Sequence, residues 1–198
     1  MAFKKVKKDI MGFSGKPWPQ YQKEIQGFIQ LLLDEGCKSY LEIGCRYGDT
    51  WHAVGMALPK HSKLVAVDLP GAKSGQKHKG GHQNSFIYLK RAKKDLQRHN
   101  RDAHVIIGDS QDKIIIGTVK WFAPFDAILI DGDHTANGVR QDLENYGPMA
   151  KFVAFHDIVG TGKWARQIRP IFLEYAEGKK SVEFVRDGLR RGIGVVWT

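Results

Sequence analysis

The spacing of apolar positions changes period in a regular way along the chain. In "PWPQYQKEIQGFIQLLLDEG" (17–36), Pro17 and Pro19 precede Ile25, Phe28, Ile29, Leu32 and Leu33, which recur at helical intervals, and Gly36 supplies a stop, so a helix is predicted there. "SYLEI" at 39–43 is a short apolar run and reads as a first strand, followed by the glycine-bearing turn of "GCRYGDT" and a helix. "KLVAVDL" (63–69), "HVIIGD" (104–109), "FDAILID" (125–131) and "KFVAFHD" (151–157) have the same form, an apolar run that ends in an acid.

Between these runs the period lengthens. "NSFIYLKRAKKDLQRHN" (84–100) places Phe86, Leu89, Ala92 and Leu96 along one face of a helix. "SQDKIIIGTV" (110–119) predicts a helix starting at Ser110, and "TANGVRQDLENYGPMA" (135–150) one that weakens at Gly147–Pro148. "KWARQIRPIFLEYAEG" (163–178) predicts another, disturbed near Pro170. "SVEFVR" and "GIGVVWT" close the chain as two strands joined around Asp187–Gly188.

Strands alternating with helices predict a Rossmann-like, doubly wound α/β sheet, mostly parallel and covered on both faces. The two closing strands add an antiparallel hairpin at one edge, for seven strands in all. Residues 1–16 read as a basic N-terminal arm and residues 17–198 as a single domain. The segment 69–86, rich in Gly, Lys and His, is long for a connection and reads as a lid, an anion-binding loop or a plain surface loop.

Composition narrows the picture only slightly. The 198 residues carry a formal charge of +10, concentrated in "FKKVKK", "KRAKK" and "RDGLRR", which favours encounter with anions but lacks the aromatic interleaving of RNA-binding signatures. No apolar stretch reaches membrane-spanning length, and the basic N-terminus lacks the apolar region of a secretory signal. The two cysteines, Cys37 and Cys45, form neither a disulfide framework nor a zinc pattern, so a cytoplasmic protein with free thiols is expected.

Ligands of such sheets bind at the carboxyl ends of the strands. There the sequence sets Glu42 with Gly44, then Asp68, Asp109, Asp131 with Asp133, and His156 with Asp157. A single acid at a strand end is an ordinary turn residue; five successive ones point to a ligand. Gly44 and Gly48 could serve close strand–helix packing alone. As a ligand turn, however, "GCRYGDT" lacks the lysine of a phosphate loop, and Asp49 would repel a phosphate. It also lacks the third glycine of a dinucleotide turn. What remains is a nucleoside with a cationic amino-acid tail, whose ammonium and ribose hydroxyls both suit carboxylates.

With these residues in place the sequence resembles the class I S-adenosylmethionine-dependent methyltransferases over roughly residues 38–197. "LEIGCRYGDT", "VAVDL" and "IIGDS" match three of their segments in order. "FDAILIDGDHTANGVRQDLENYGPMAKFVAFHDI" resembles methyltransferase family 24, which includes proteins similar to cephalosporin hydroxylase and macrocin O-methyltransferase. The resemblance implies S-adenosyl-L-methionine as cofactor, with Glu42, Gly44, Cys45, Gly48, Asp68, Leu69, Asp109, Ser110 and Asp131 around it. Asp68 would take the ribose, and Asp109 with Ser110 the adenine.

The fourth and fifth strand ends are then left for chemistry. Methyl transfer to oxygen needs the acceptor proton removed, by a base such as His or by a divalent cation. His134, His156 and Asp133 are the candidate catalytic residues. By position in metal-dependent relatives, Asp131 and Asp157 would hold Mg2+ or Mn2+, although His156 stands where such sites usually offer a second acid or an amide. The expected activity is O-methylation of a small molecule or sugar, with either a divalent cation or a histidine base dealing with the acceptor proton. The alternatives are a nucleic-acid methyltransferase, disfavoured because "DGDH" replaces an "NPPY"-like segment, and a non-catalytic cofactor-binding protein. The acceptor's identity and the oligomeric state have no signature in the sequence.

Overall fold

The computed structural model describes residues 13–14, 22–69, 85–160, 162–185 and 191–198. Most of the basic arm, the body of the 69–86 segment and the turn at Asp187–Gly188 lie outside the described residues. Helices α1 (Gln22–Asp34), α2 (Asp49–Ala57), α3 (Ser85–Arg98), α4 (Lys113–Lys120), α5 (Ala136–Tyr146) and α6 (Lys163–Ala176) alternate with strands β1 (Ser39–Ile43), β2 (Lys63–Asp68), β3 (Asp102–Ile107), β4 (Phe125–Ile130) and β5 (Ala150–Val159). Strands β6 (Ser181–Phe184) and β7 (Arg191–Trp197) follow. The seven strands form one sheet in the order β3-β2-β1-β4-β5-β7-β6.

β1 to β5 pair in parallel, and β7 runs antiparallel to both β5 and β6. The expected fold class and closing hairpin are therefore present, with the last strand inserted inside the sheet and β6 at its edge. Alternation along the strands supplies two cores. Tyr40, Leu64, Ala127, Ala154 and Val195 face Phe28, Trp51, Val54 and Leu89 from the helices of one side. Leu41, Val65, Ile128, Val153 and Phe155 face Val139, Ile168, Ile171 and Phe172 from the other.

Several boundaries differ from expectation for local reasons. α4 begins at Lys113 rather than Ser110, because Asp112 is its N-cap and accepts from the Ile114 amide at 2.7 Å. The preceding "GDS" is thereby left as a loop at the end of β3. α6 runs continuously through Pro170, where the sequence predicts a disturbance. α5 gives way to a short 3-10 turn at Gly147–Met149, at the predicted weak point. β5 continues to Val159, so His156 and Asp157 lie within it, and its pairing with β7 shifts register between His156 and Val159. Asp157 sits there in the left-handed region, φ 58°, which turns its carboxylate out of the regular strand alternation.

Candidate active site

Strand order reverses direction between β1 and β4: the chain runs outward from β1 through β2 to β3, then crosses back to β4. At such a switch point the loops leave in opposite directions and open a crevice. Both sides of the opening are pinned by backbone, with the Gly44 amide on Val67 O at 2.9 Å and the Asp131 amide on Ile43 O at 2.8 Å. Gly44 (φ 87°) lies so close to the other loop that a Cβ there would stand 2.2 Å from the Asp131 carbonyl oxygen. Gly48 (φ 77°) precedes α2. The turn thus needs glycine for its backbone angles and for its contact with the β4 loop.

Asp68 closes β2, and its Oδ1 accepts from the Arg46 amide of the glycine turn at 2.9 Å. Leu69 beside it is exposed. Asp109 accepts from the Gln111 amide in an Asx-type turn, and Ser110 Oγ donates to Asp142 at 2.7 Å. Cys45 is buried, with its thiol on the carbonyls of Glu42 and Val67. Glu42 is also closed off from solvent and accepts from the Tyr40 hydroxyl at 2.7 Å. Burial pushes the Glu42 carboxyl up to about 8 against that hydrogen bond, so it is largely uncharged at neutral pH.

The fourth and fifth strand ends bring four of the predicted side chains together. His134 Nε2 lies 3.0 Å from Asp131 Oδ1, and His134 Nδ1 lies 3.3 Å from Asp157 Oδ2. His156 Nδ1 stands 2.8 Å from the same Asp131 oxygen and 3.4 Å from Asp157 Oδ1. Burial opposes charge on Asp131, but the neighbouring His156 and His134 hold its carboxyl well below the usual range. Burial likewise lowers both imidazoles, and Asp131 more than compensates, raising His134 above its ordinary value and His156 to about 9. The two histidines differ in access: the side chain of His134 is 21% exposed and that of His156 only 6%.

Asp133 stands apart from this cluster. Its carboxylate accepts from the Thr135 amide at 2.9 Å and packs against Gly138, shaping the start of α5. Thr135 itself caps α5 through the Gly138 amide. From α6, Trp164 meets the His134 ring edge-on at 5.5 Å, and Gln167 accepts from the Ala136 amide at 3.0 Å.

The sequence reading missed Glu24, Trp164 and Asp142. Glu24 and Asp142 are buried acids, each with one carboxylate oxygen lacking a hydrogen-bond partner among the described residues. Their signal was a charge on an otherwise apolar helical stripe, Glu24 beside Ile25 and Phe28, and Asp142 between Val139 and Tyr146. Burial raises the Glu24 carboxyl, with the Gly192 amide and then the charge of His156 pulling it back, so it borders the cluster from α1. His52 is buried on α2; it pairs with Asp95 at 2.8 Å and stacks on Phe13. Ser14 bonds Asp49 at 2.9 Å.

The proton inventory makes a prediction about stability. Glu42 (about 8), Asp142 (about 7) and His156 (about 9) all hold protons in the folded chain at pH values where the unfolded chain has released them. Folding then takes up protons, and the stability these groups contribute is present at low pH and lost as pH rises through their folded values. His52, lowered by burial, works the other way. The thermal midpoint, read by circular dichroism, should therefore decrease as pH is raised from about 5 to about 9. A midpoint that rises over that range would contradict the assignment.

Clefts elsewhere do not meet these residues. One of about 210 Å³ lies between α5 and α6 against Arg140, Glu174 and Tyr175, and one of about 320 Å³ lies at the amino ends of the strands against Ser39, Asp126 and Lys151. Among the described residues no helix is long and apolar enough to cross a membrane.

Comparison with known proteins identifies the family and the fold. A family model described as "Methyltransferase domain" matches residues 41–158, more than half of the chain. No curated protein sequence matches. Among solved structures, the chain is similar to the O-methyltransferase TomG of Streptomyces achromogenes, involved in tomaymycin synthesis and solved with SAM, at 17% identity and a TM-score of 0.63, over 100% of this chain and 89% of that one. It is similar to an O-methyltransferase of Bacillus cereus in complex with SAH, at 15% identity and a TM-score of 0.63, over 100% and 90%. It is also similar to cofactor-bound Rv0187 from MTB, at 14% identity and a TM-score of 0.66, over 99% and 88%.

Proposed function

This chain belongs to the methyltransferase-domain family of class I S-adenosylmethionine-dependent methyltransferases, and from that premise we propose that it methylates a hydroxyl oxygen of a small molecule. The observation that carries the reading is the acid–histidine cluster of Asp131, His134, His156 and Asp157, whose Asp131 backbone abuts the Gly44 turn. A cofactor seated on that turn has its reactive end beside a base.

The residues fit such a cofactor. A Cβ at Gly44 would collide with the Asp131–Gly132 backbone, so only glycine lets the turn close against the β4 loop, and Asp68 closes the neighbouring strand, where a ribose can be held by charge-assisted hydrogen bonds. Asp109 and Ser110 supply the adenine end. When bound, S-adenosylmethionine supplies a methyl group on cationic sulfur that departs as a neutral thioether. The chain's part is orientation and proton transfer. Asp131 keeps His134 Nε2 protonated and fixed. Nδ1, in the longer 3.3 Å contact with Asp157, takes the proton of the acceptor hydroxyl. His156 is the buried counter-charge of Asp131 and does not reach the acceptor. Trp164 walls the His134 side.

A divalent cation at Asp131 and Asp157 does not fit this arrangement. His134 stands between the two carboxylates with one nitrogen on each, and His156 takes up the same Asp131 oxygen. Among the described residues no group of three or more His, Cys, Asp or Glu is disposed to hold a metal ion.

The test is calorimetry with S-adenosylhomocysteine, followed by transfer of labelled methyl to a panel of catechols, phenols and sugars, with and without a chelator. Binding is expected, and Asp68→Ala should weaken it by about 10–150-fold, the worth of one charged hydrogen bond of about 1.5–3 kcal/mol. Folded wild-type protein with no affinity for the ligand would sink the reading. Binding without turnover on any acceptor would favour a cofactor-binding module. Activity lost to the chelator and restored by Mg2+ or Mn2+ would reinstate the metal.

A further inference from the structure

Helix α5 turns two buried groups, one turn apart, onto a single loop residue. Asp142 Oδ1 accepts from Ser110 Oγ at 2.7 Å, and the Tyr146 hydroxyl donates to the Ser110 carbonyl at 2.6 Å. Both side chains belong to residues with no exposed surface. Their i, i+4 spacing puts them on one helical face, so the hydroxyl and the carbonyl of Ser110 are taken from the same direction. Its amide N–H is the polar group that α5 leaves unengaged.

The second oxygen of Asp142 has no hydrogen-bond partner among the described residues and lies against the turn after β4, where a Cβ on Gly132 would stand 3.3 Å from it. One carboxyl group therefore ties down the loop at the end of β3 and abuts the loop at the end of β4. A buried acid with an unused acceptor is costly to fold around, and the Val139–Tyr146 face would pack well with an apolar residue in its place. The cost is understandable if the group serves the crevice between those loops.

We infer that Asp142 and Tyr146 are positioning residues for the nucleobase of the cofactor, acting through Ser110. This rests on the reading of Asp109–Ser110 as the adenine end. An adenine edge presents a ring-nitrogen acceptor beside an exocyclic amino donor. The Ser110 amide and the Asp109 carboxylate are a matching donor and acceptor on adjacent residues, provided that the loop holds one conformation. Asp142 and Tyr146 hold it, and α4 cannot, because Asp112 starts that helix two residues further on.

The experiment measures binding of S-adenosylhomocysteine and of its inosine analogue, which carries a 6-oxo group in place of the amino group. Wild type should prefer the adenine form. Asp142→Ala and Tyr146→Phe should each weaken S-adenosylhomocysteine by about tenfold or more and lose most of that preference, because residue and amino group are coupled. Asp142→Asn keeps an oxygen for Ser110 Oγ and should restore both affinity and preference. A general loss of structure would weaken the two ligands alike and leave their ratio unchanged, which would overturn the inference. So would wild-type affinity and preference in Tyr146→Phe, a variant that removes one hydroxyl and keeps the test decisive if Asp142→Ala does not fold. If wild type binds neither ligand, the cofactor reading itself fails, and this inference with it; if wild type binds and the variants match it, only this inference fails.

Discussion

Gly44→Ala should abolish cofactor binding, with S-adenosylhomocysteine affinity falling by more than about 100-fold. Two effects act together. The residue holds φ 87°, and the added Cβ would meet Asp131 O at 2.2 Å, Asp131 C at 2.5 Å and Gly132 Cα at 2.5 Å. The left-handed backbone costs a non-glycine residue about 1–2 kcal/mol. The contacts are worse, because all three atoms are backbone and none can rotate away. Relief requires the β1 and β4 loops to part, yet Gly44 is tied to Val67 and Asp131 to Ile43. Any outward shift of Asp131 also drags His134 and His156 from their places, so the loss reaches beyond the turn. Affinity by calorimetry and folding by circular dichroism check this together. Gly117→Ala is the control: it lies in α4, where an added Cβ would meet nothing within 4 Å, and should bind as wild type does while gaining about 0.5–1 kcal/mol of stability. Gly44→Ala protein that binds with wild-type affinity would remove the turn from the site.

His134→Ala should cut turnover by about 10²–10⁴-fold while cofactor affinity stays within about twofold. The imidazole is the accessible member of the cluster, and the cofactor turn is built from other residues. The pH profile separates a base from a packing residue. A base must be neutral to accept a proton, and Asp131 raises His134 above its ordinary value of 6.5 against the effect of burial. The rate should therefore climb with pH along a limb lying above 6.5. Asp131→Asn withdraws the charge that raises His134, so its limb should move to lower pH even as orientation suffers. His134→Ala should lose the limb. Undiminished methylation by His134→Ala, on an acceptor that wild type methylates, would discard the base assignment.

How far the sequence reaches can be judged from particular residues. The order of elements was legible because each strand is a continuous apolar run and each helix an apolar stripe, patterns set by burial on two faces of a sheet. Gly44 and Gly48 were legible because their backbone angles have few other occupants. Asp68, Asp109, Asp131 and Asp157 were legible as acids at the ends of apolar runs, since parallel strands put all those ends on one side.

What each acid faces was not legible. Asp131 and Asp157 read as a pair open to a cation; in the folded chain the left-handed turn at Asp157 and the register shift in β5 bring both carboxylates onto two imidazoles. Asp133, one residue from His134, turns away because the start of α5 needs a partner for the Thr135 amide. Glu24 and Asp142 carried only a weak mark as charges within apolar stripes. Sequence by itself determined the alternation and the glycine turn, because these follow from local backbone limits and from the period of burial. Tertiary structure alone decided how the two strand ends neutralise one another and which histidine stays accessible, because that depends on distances of about 3 Å between the β4 loop and β5, Asp131 to His156 and His134 to Asp157, and a shift of one residue in β5 would change both.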